Sequence, residues 1–425
     1  MKNSFVLLFL LTATCTLAQT RSTVSGGVVS SGPTGVRALE TDTISNVLYV
    51  GGDITQAGGN SINNIAKWNG TTWDSLGSGT SYWVTSMKFF SGNLYVGGLF
   101  LSAGGIPVNY IAKWDGSNWA ALGSGANGNV YAVEEYNGEV YIGGNFTMVG
   151  GQPANYIAKW NGVSWSGVGG GTDNVVSVLK KINGRLYAGG SFTMAGSTTV
   201  NNIASWDGSM WSALGSGTDN SVSAICQYNT NIIIGGAFQN ADGGPCSRIA
   251  KWDGSNWTAI GAGMNSDVYA LAYDGQYLYA GGMLFTSPFQ KVARWDGTNW
   301  MQMGTMWNPV PSMYCMEVCQ NYLYGGGSLT TFGHIAKWGL LTDIYFQSSE
   351  PQGCIYPNPN RGKFRIMTGF PEMSLSIYNV LGNELYRDED YIDNSIVDAS
   401  FLPKGVYSLM LCGDNQYFLH KLVIH

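Results

Sequence analysis

A short segment recurs seven times along the chain: an apolar residue, usually a tyrosine, one small or apolar residue, and two glycines. The first glycine of each pair stands at 51, 97, 143, 189, 235, 281 and 326, which gives five steps of 46 residues and a last step of 45. A fixed period in this range is typical of propellers and solenoids. The period therefore predicts a repeat fold before any other property of the chain is considered.

Each repeat is predicted to contain four short β-strands. The first begins at Val84, Val130, Val176, Val222 and Val268, and the second is the segment that ends in the glycine pair. The third is Ile-Ala-Lys-Trp or a variant, and the fourth runs from a second tryptophan to Leu-Gly. Asn-Gly or Asp-Gly between the last two strands predicts a tight hairpin, because these residues accept positive φ. Four such strands form one propeller blade, and no helical period is present.

The two ends of the repeat region indicate how it is closed. Seven copies of the second and third strands are present, but only six copies of the fourth. At the other end, 23–28 resembles a fourth strand that has no repeat before it. We therefore expect an all-β ring of seven blades over residues 19–345, closed by strands from both ends, which leaves no exposed sheet edge. An open solenoid is the alternative, but it would need capping repeats, and the sequence shows none.

The repeat resembles the kelch-type propeller repeat over roughly residues 20 to 345. The similarity lies in a double glycine after an apolar strand, then an aromatic residue, then a tryptophan. The chain departs from that pattern in having tryptophan where tyrosine is usual. It is most similar to the kelch-like repeats of secreted bacterial proteins.

Composition and the N-terminal residues indicate an exported protein. Residues 1–18 are typical of a secretory signal peptide, with Lys2, an apolar run and a Thr-Leu-Ala cleavage site. No later segment is apolar enough to span a membrane as a helix. The net charge of −6 disfavours nucleic acid as a partner, because such binding needs clustered Lys and Arg. Only 11% of residues are charged and 60 are glycine, which favours a β protein rich in turns.

The last residues follow a different pattern from the repeats. After a polar linker at 346–353, residues 354–425 show short alternating strands separated by Gly and Pro, which predicts a small Ig-like β-sandwich. This segment closely resembles the C-terminal sorting domain of type IX secretion cargo in the Bacteroidetes. The matching positions are Tyr356, Pro357, Asn358, Pro359, Gly362, Tyr378, Gly382, Gly405, Tyr407 and Lys421. The resemblance implies the type IX machinery as a partner, with release or attachment at the cell surface. The alternative is an ordinary Ig-like accessory module.

The chain offers few residues for metal or nucleophilic chemistry. After the signal peptide it has six cysteines, Cys226, Cys246, Cys315, Cys319, Cys354 and Cys412, whose pairing the sequence leaves open. The pair Cys315 and Cys319 lacks the second pair of ligands that a zinc site needs. His334 is the one histidine of the repeats, so neither paired imidazoles nor a catalytic triad is expected. We predict no metal, no cofactor and no catalytic residue.

Three repeated features permit both a structural and a functional interpretation. The Asp-Gly-Ser-Asn-Trp turns are one residue shorter than the Asp box of sialidases, and a hairpin turn explains them. A cation precedes the third-strand tryptophan in every repeat except that of Ser205, and these cations could form a ring that attracts anions, or could pack their stems along an aromatic ring. The tryptophans could bind sugars, but burial between blades is the simpler interpretation. We expect the structural alternative for all three.

Positions that vary between repeats are better candidates for ligand contacts, because loops on a rigid scaffold carry function. Such positions precede the third strand or lie in the connection between blades, and we expect these two loop sets to share one rim. The candidates are Tyr82, Trp83, Tyr110, Tyr156, Arg248, Trp307 and His334.

The leading hypothesis is a secreted or cell-surface propeller that binds a glycan or a protein without catalysis. The alternative is a glycan-active hydrolase or lyase on the same scaffold. That enzyme would need two carboxyl groups at one rim, for which Glu134, Glu135 and Asp219 are candidates without a recognisable constellation. A structural or adhesive surface component is a third possibility.

Overall fold

The computed structural model describes residues 21–24, 26–32, 34–283, 292–303, 312–320, 322–329, 334–340, 354–358, 360–367, 372–379, 384–392, 394–413 and 416–424. The chain divides into two compact units, one of Ala18–Thr342 and one that includes Asp343–His425. The expected signal peptide and the linker at 346–353 lie outside the described residues. The exact domain boundaries stay a prediction.

All regular elements of the described residues are β-strands. The first repeats contain β1 (Arg21–Thr23), β2 (Val28–Val29), β3 (Val36–Asp42), β4 (Val47–Gly52), β5 (Gln56–Ala57), β6 (Asn60–Ser61), β7 (Ile65–Trp68), β8 (Trp73–Ser75), β9 (Val84–Phe90), β10 (Asn93–Gly98), β11 (Ser102–Ala103), β12 (Ile106–Pro107), β13 (Ile111–Trp114), β14 (Trp119–Ala121), β15 (Asn129–Tyr136), β16 (Glu139–Asn145), β17 (Met148–Val149), β18 (Gln152–Pro153), β19 (Ile157–Trp160) and β20 (Trp165–Gly167). The later repeats contain β21 (Val176–Ile182), β22 (Arg185–Gly190), β23 (Met194–Ala195), β24 (Thr198–Thr199), β25 (Ile203–Trp206), β26 (Trp211–Ala213), β27 (Val222–Tyr228), β28 (Asn231–Gly236), β29 (Asn240–Ala241), β30 (Gly244–Pro245), β31 (Ile249–Trp252), β32 (Trp257–Ala259), β33 (Val268–Tyr273), β34 (Leu278–Gly282), β35 (Val292–Trp295), β36 (Trp300–Gln302), β37 (Met313–Cys319), β38 (Tyr322–Gly327) and β39 (Ile335–Gly339).

These strands form repeated four-stranded antiparallel sheets, as the sequence predicts. Within the described residues, six sheets take their strands in chain order: β3-β4-β7-β8, β9-β10-β13-β14, β15-β16-β19-β20, β21-β22-β25-β26, β27-β28-β31-β32 and β33-β34-β35-β36. A further sheet has the order β37-β38-β39-β1, so its outer strand comes from the start of the chain. The connection between the second and third strands carries a small hairpin, such as β11 with β12.

The strand that β1 contributes differs in position from the prediction. Arg21, Ser22 and Thr23 pair with Trp338, Lys337 and Ala336. The expected strand at 23–28 thus begins too late, because Val28 pairs with Ala57 in a separate small sheet. Pairing of the two ends of the repeat region is nevertheless observed, and it covers an edge that β39 would otherwise expose.

The first glycine of each pair explains why the period is so regular. A Cβ atom at Gly51 would lie 2.5 Å from Cγ1 of Val84, the first residue of the next sheet's first strand. The same contact recurs around the repeats, and at the last copy Gly326 meets Val36 of the first sheet. Any side chain here would separate neighbouring sheets, since packed interiors leave no room for an added methyl group.

The tryptophans join neighbouring sheets from the outside. The two tryptophans of one hairpin pack against each other, as Trp114 and Trp119 do at a centroid distance of 5.4 Å. The second also donates a hydrogen bond to the preceding sheet, from Nε1 of Trp119 to the carbonyl oxygen of Leu76 at 2.8 Å. Trp165, Trp211, Trp257 and Trp300 repeat this contact. The expectation that the tryptophans form the core between repeats is confirmed.

The described residues of the C-terminal unit contain seven strands: β40 (Cys354–Tyr356), β41 (Lys363–Met367), β42 (Glu372–Tyr378), β43 (Glu384–Ile392), β44 (Ile396–Asp398), β45 (Gly405–Gly413) and β46 (Gln416–Ile424). They form two antiparallel sheets, β40-β41-β44 and β43-β42-β45-β46. One apolar cluster joins them, with Phe364 and Val397 from the first sheet and Leu375, Leu409 and Leu422 from the second. This arrangement agrees with the predicted small β unit.

In the part of the chain that the structure describes, no helix has the length and apolar character to cross a membrane.

Candidate ligand-binding site

The first strands of the repeat sheets enclose a cavity of about 180 Å³. Its lining comes from β3, β9, β15, β21, β27, β33 and β37. Alternation along these strands brings Ser86 and Lys88 to the cavity, whereas Met87 between them belongs to the apolar core. The residues that face the cavity differ from repeat to repeat, which makes this region the first place to look for a site.

One end of the cavity carries a row of stacked side chains, here named the aromatic mouth: Arg37, Tyr82, Trp83, Tyr269 and Tyr314. The rings of Tyr82 and Trp83 stack with centroids 5.0 Å apart and planes 9° from parallel. The rings of Tyr269 and Tyr314 stack at 6.0 Å and 28°. The guanidinium carbon of Arg37 lies 5.1 Å from the Trp83 centroid and 5.0 Å from that of Tyr314, so it joins the two pairs.

A β-bulge places three of these side chains at the mouth. In β3, Val36 pairs with Gly52 and Ala38 with Gly51, so Arg37 between them is left without a partner in the ladder. The register shifts in the same way at Tyr269 and Tyr314. Bulges re-aim side chains and are common next to binding sites. Tyr82 and Trp83 come from the connection between two sheets, where Tyr82 is 47% exposed.

Sequence reasoning found Tyr82 and Trp83 but missed the other members of the mouth. The position that could have indicated them is the one after the first apolar residue of each first strand. That position holds Arg37, Thr85, Tyr131, Ser177, Ser223, Tyr269 and Tyr314, which have no common chemistry. Only the bulge shows that these residues face the opening.

Deeper in the cavity lies a set of charged side chains, here named the ionic layer: Glu40, Lys88, Glu134, Lys180 and Glu317. Lys88 Nζ lies 3.4 Å from Glu40 Oε1 and 3.3 Å from Glu134 Oε1. Glu40 also accepts a hydrogen bond from the backbone N–H of Phe89 at 2.9 Å. A second depression of about 420 Å³ reaches four of these residues from the end where the first strands finish, beside Thr43 and Ser91.

Burial and neighbouring charges control the protonation of the ionic layer. Burial, together with the carboxylate of Glu40, raises the pKa of Glu317 to about 7, although Lys180 and Lys88 oppose this shift. Burial alone would lower the pKa of Lys88, but the carboxylates of Glu40 and Glu134 raise it above its usual value. The lysines therefore stay protonated at neutral pH, while Glu317 titrates there.

The other predicted rim residues make contacts within the repeats. Tyr110, Tyr156, Arg248 and His334 all adopt positive φ, from 60 to 70°, immediately before a third strand. Arg248 pairs with Asp267 at 3.1 Å and donates to the carbonyl oxygen of Met264. His334 is buried beside the carbonyl oxygen of Gly327, and burial lowers its pKa. Tyr110 and Tyr156 pack against apolar core clusters.

The loops before the third strands and the connections between sheets share one rim, as predicted. The side chain of Asn64, before a third strand, donates a hydrogen bond to the carbonyl oxygen of Thr80, in a connection.

Trp307, the remaining predicted ligand contact, lies outside the described residues. The structure thus brings together Tyr82 and Trp83 with three residues that the sequence did not single out. The predicted ligand contacts as a whole stay a prediction.

The carboxylates considered for catalysis lie in separate places. Glu134 belongs to the ionic layer, whereas Glu135 pairs with Lys181 at 2.7 Å. Asp219 accepts hydrogen bonds from the backbone N–H groups of Gln239 and Asn240 and so holds a connecting loop. It borders a polar groove of about 710 Å³ that also includes Thr193, Asn201 and Ser216. Because these groups bond within the groove and no ring lines it, the groove is less suited to a ligand than the mouth.

The remaining repeated motifs are structural. Asp115 Oδ1 accepts hydrogen bonds from the N–H groups of Ser117 and Asn118, which is a hairpin turn. The cations of the third strand do not line the cavity, because the first strand of each sheet lines it and the third strand lies two strands away. Lys337, for example, packs on an aromatic ring, with Nζ 4.5 Å from the centroid of Tyr322. Cys226, Cys246, Cys315 and Cys319 are free thiols. Among the described residues, no three His, Cys, Asp or Glu side chains group as metal ligands.

Several sorting-signal residues hold the C-terminal unit together. Asn358 Oδ1 accepts a hydrogen bond from the N–H of Val423 in the last strand at 2.9 Å. Gly362 has a φ of +91° and receives support from Asn360, and a Cβ there would collide with Ser400. Tyr407 donates from its hydroxyl to the carbonyl oxygen of Pro403 at 2.6 Å.

The other sorting-signal residues make fewer contacts within the C-terminal unit. Tyr378 donates to Glu384, Pro357 is exposed, and Gly405 begins β45. The backbones of Tyr356 and Lys421 lie in β40 and β46. Pro359 and Gly382 lie outside the described residues.

Comparisons with known proteins agree with both units. Residues 354–425 match the family described as secretion system C-terminal sorting domain. Residues 137–161 match a domain of unknown function (DUF5122) described as a beta-propeller. No curated protein matches the chain. Among solved structures, the computationally designed Ika8 protein aligns with a TM-score of 0.47 and 12% identity over 92% of this chain and 98% of that one. Residues 354–425 therefore form a type IX sorting domain, which directs export to the cell surface or the medium, and the four-stranded repeats before it are consistent with a β-propeller.

Proposed function

We propose that the repeats form a seven-bladed, kelch-like propeller that binds a glycan at the aromatic mouth without catalysis and without a cofactor. The proposal includes a signal peptide at residues 1–18 and an Ig-like arrangement of the sorting domain. It further includes display on, or release from, the cell surface. The observation that carries it is the row of stacked side chains from Tyr82 to Tyr269.

Three properties of the mouth support a ligand. Its rings are held by stacking rather than by burial, so they are preorganised, which lowers the entropic cost of binding. They come from three places, the connection before β9 and the strands β33 and β37, and Arg37 of β3 joins them into one row. Large ring faces that stay half-exposed in a monomer are costly unless something covers them. Flat aromatic faces suit the apolar face of a sugar ring, and glycans are abundant where the sorting domain delivers the protein.

The test is a glycan array with the mature chain, followed by calorimetry on the positive ligands. Trp83→Ala should weaken binding by at least tenfold, which corresponds to about 1.4 kcal/mol. Trp165→Phe is the matched control, because Trp165 is buried between sheets and far from the opening. Binding of a surface protein but of no glycan would favour the protein ligand, and glycan binding unaffected by Trp83→Ala would contradict the proposed site.

One observation favours a glycan-active enzyme as the second candidate. Glu317 titrates near neutral pH beside Glu40, and enzymes use such carboxyl groups as general acids. Incubating each bound glycan with the protein and measuring new reducing ends distinguishes the two functions. Product that disappears with Glu317→Gln would establish the enzyme, and binding without product would support the binding module.

A further inference from the structure

We infer that the aromatic mouth recognises a carboxylate-bearing glycan and that Arg37 binds the carboxylate. This inference rests on the proposed function, because it names the ligand class of the same site. It depends on the contacts that position Arg37, on the absence of a carboxylate partner for its charge among the described residues, and on the shape of the rings around it.

The guanidinium group of Arg37 lies over two aromatic rings. Its guanidinium carbon lies about equally far from the Trp83 and Tyr314 rings, at 5.1 and 5.0 Å. Contact with two rings restricts the guanidinium group, and its N–H donors lie at its edge, where a further partner can bind. A guanidinium edge matches a carboxylate with two parallel hydrogen bonds, which a sugar hydroxyl cannot provide.

The charge of Arg37 has no carboxylate partner among the described residues. Its Nε atom is buried and makes no hydrogen bond within them. The segments that the structure leaves out within the repeat region, 25, 33, 284–291, 304–311, 321, 330–333 and 341–342, contain one acidic or basic side chain, Lys291, and no Asp or Glu before 343. Arg248 on the same rim differs, because Asp267 neutralises it at 3.1 Å.

A charge that has no partner inside the protein favours a ligand of opposite charge. A ligand carboxylate at the guanidinium edge would compensate the charge of Arg37, whereas a neutral sugar would not. The mouth therefore favours anionic over neutral ligands of the same shape.

The rings favour a sugar over an acidic peptide. The two stacked pairs, with planes at 9° and 28°, present flat ring faces. A peptide would bring backbone N–H and C=O groups that need partners, and ring faces supply none. A sugar acid combines an apolar ring face with one carboxylate. The mouth presents the complementary features, which are aromatic ring faces and the guanidinium group of Arg37.

The experiment titrates the mature full chain by calorimetry with polygalacturonate, neutral galactan, dextran sulfate and poly-glutamate. We expect polygalacturonate to bind at least tenfold more tightly than the other three. Arg37→Gln should remove that preference, and Arg248→Gln, the matched control from the same rim, should keep it. Tyr314→Ser is the second variant, because it removes one face that holds Arg37 while leaving the charge. Thermal melts establish that each variant is folded.

The failures of the two proposals are distinguishable. If galactan binds as tightly as polygalacturonate and binding depends on Trp83 but not on Arg37, the inference is overturned while the proposed function stands. Equal binding of dextran sulfate would overturn the choice of a carboxylate, and equal binding of poly-glutamate would overturn the choice of a sugar. If no polymer binds the wild-type chain and the glycan array is also empty, the proposed function fails as well.

Discussion

The aromatic mouth and the ionic layer share the strands β3 and β37, where their residues lie three positions apart, and the two regions differ in how their charges are satisfied. In the ionic layer, Lys88 lies between Glu40 and Glu134, so its charge is compensated within the protein. At the mouth, Arg37 lies over two rings and has no carboxylate partner within the described residues. The comparison teaches that charge alone does not locate a binding site, whereas a charge that is oriented but not compensated does. The ionic layer should therefore govern stability, and the mouth should govern binding.

The largest expected effect is on stability, from Lys88→Met. The variant leaves Glu40 and Glu134 in the cavity without their cation, and breaking a buried pair from one side typically costs about 3–5 kcal/mol. Lys181→Met is the matched control, because Lys181 pairs with Glu135 at the surface and is 39% exposed, which predicts a loss below about 1 kcal/mol. Chemical denaturation measures both. Equal losses would mean that the ionic layer is no more than a surface network.

The next effect is a pH dependence of stability caused by Glu317. Its pKa in the folded protein is about 7, against 4.5 for an ordinary glutamate, so between these values the folded state keeps a proton that the unfolded chain releases. The free energy of unfolding should therefore fall as pH rises from about 4.5 to 7, by on the order of 1–3 kcal/mol, and stay level above that range.

Glu317→Gln should reduce this slope, and the remainder is expected from Glu40, whose pKa burial also raises. Glu135→Gln is the control: hydrogen bonds to Lys181 and Gly138 outweigh burial and lower the pKa of Glu135, so its contribution changes only below this window. Denaturant melts at several pH values measure the slope. A slope that is unchanged in Glu317→Gln would assign it to another group.

A smaller effect is expected at the rim from Arg248→Gln. The variant loses the contact with Asp267, and exposed or half-buried pairs are worth about 1 kcal/mol or less. Because Arg248 already has its partner, ligand affinity should stay within twofold of wild type. Calorimetry alongside a thermal melt measures both quantities. A large loss of affinity would move the binding site toward the rim residues that the sequence suggested.

The smallest effect on stability is expected at the mouth itself. Tyr314→Ser removes a partly buried ring that stacks on Tyr269 and belongs to no apolar core cluster, so the expected loss of stability is small, below about 1 kcal/mol. The same variant should lose most of the ligand affinity, because Arg37 loses one of the two rings that restrict it. Losing both together would show that the mouth is part of the scaffold, which would erase the difference between the two regions.

The sequence predicted the scaffold because the scaffold repeats. The glycine at 51 and the valine at 84 form one interface, and a glycine and a valine form the equivalent contact at the other interfaces except that of Gly281, which meets Met313. The outer strand of the last sheet was predicted to come from the start of the chain but was placed a few residues late. No periodicity marks the register of β1, because it occurs only once.

The sequence predicted only part of the site, and four of the predicted aromatic residues show the physical reason. Tyr82 and Trp83 stand out in a connection where most other repeats have small or polar residues, although the last connection carries Trp307. Tyr110 and Tyr156 also stand out, but their positive φ turns them toward the core clusters. Whether a variable aromatic residue faces solvent depends on backbone conformation, which the residue type does not report.

By itself the sequence determined the repeat, its four strands, the absence of helical periodicity and the sorting domain at the C-terminus. Each of these depends on contacts that recur or on motifs that are local, so the order of residues is enough. Only the tertiary structure decided which charges meet. Glu40, Lys88, Glu134, Lys180 and Glu317 are spread over 278 residues of sequence and become neighbours because the first strands surround one cavity. Arg37 reaches Trp83 and Tyr314 for the same reason, since long-range contacts depend on how the sheets are arranged around that cavity.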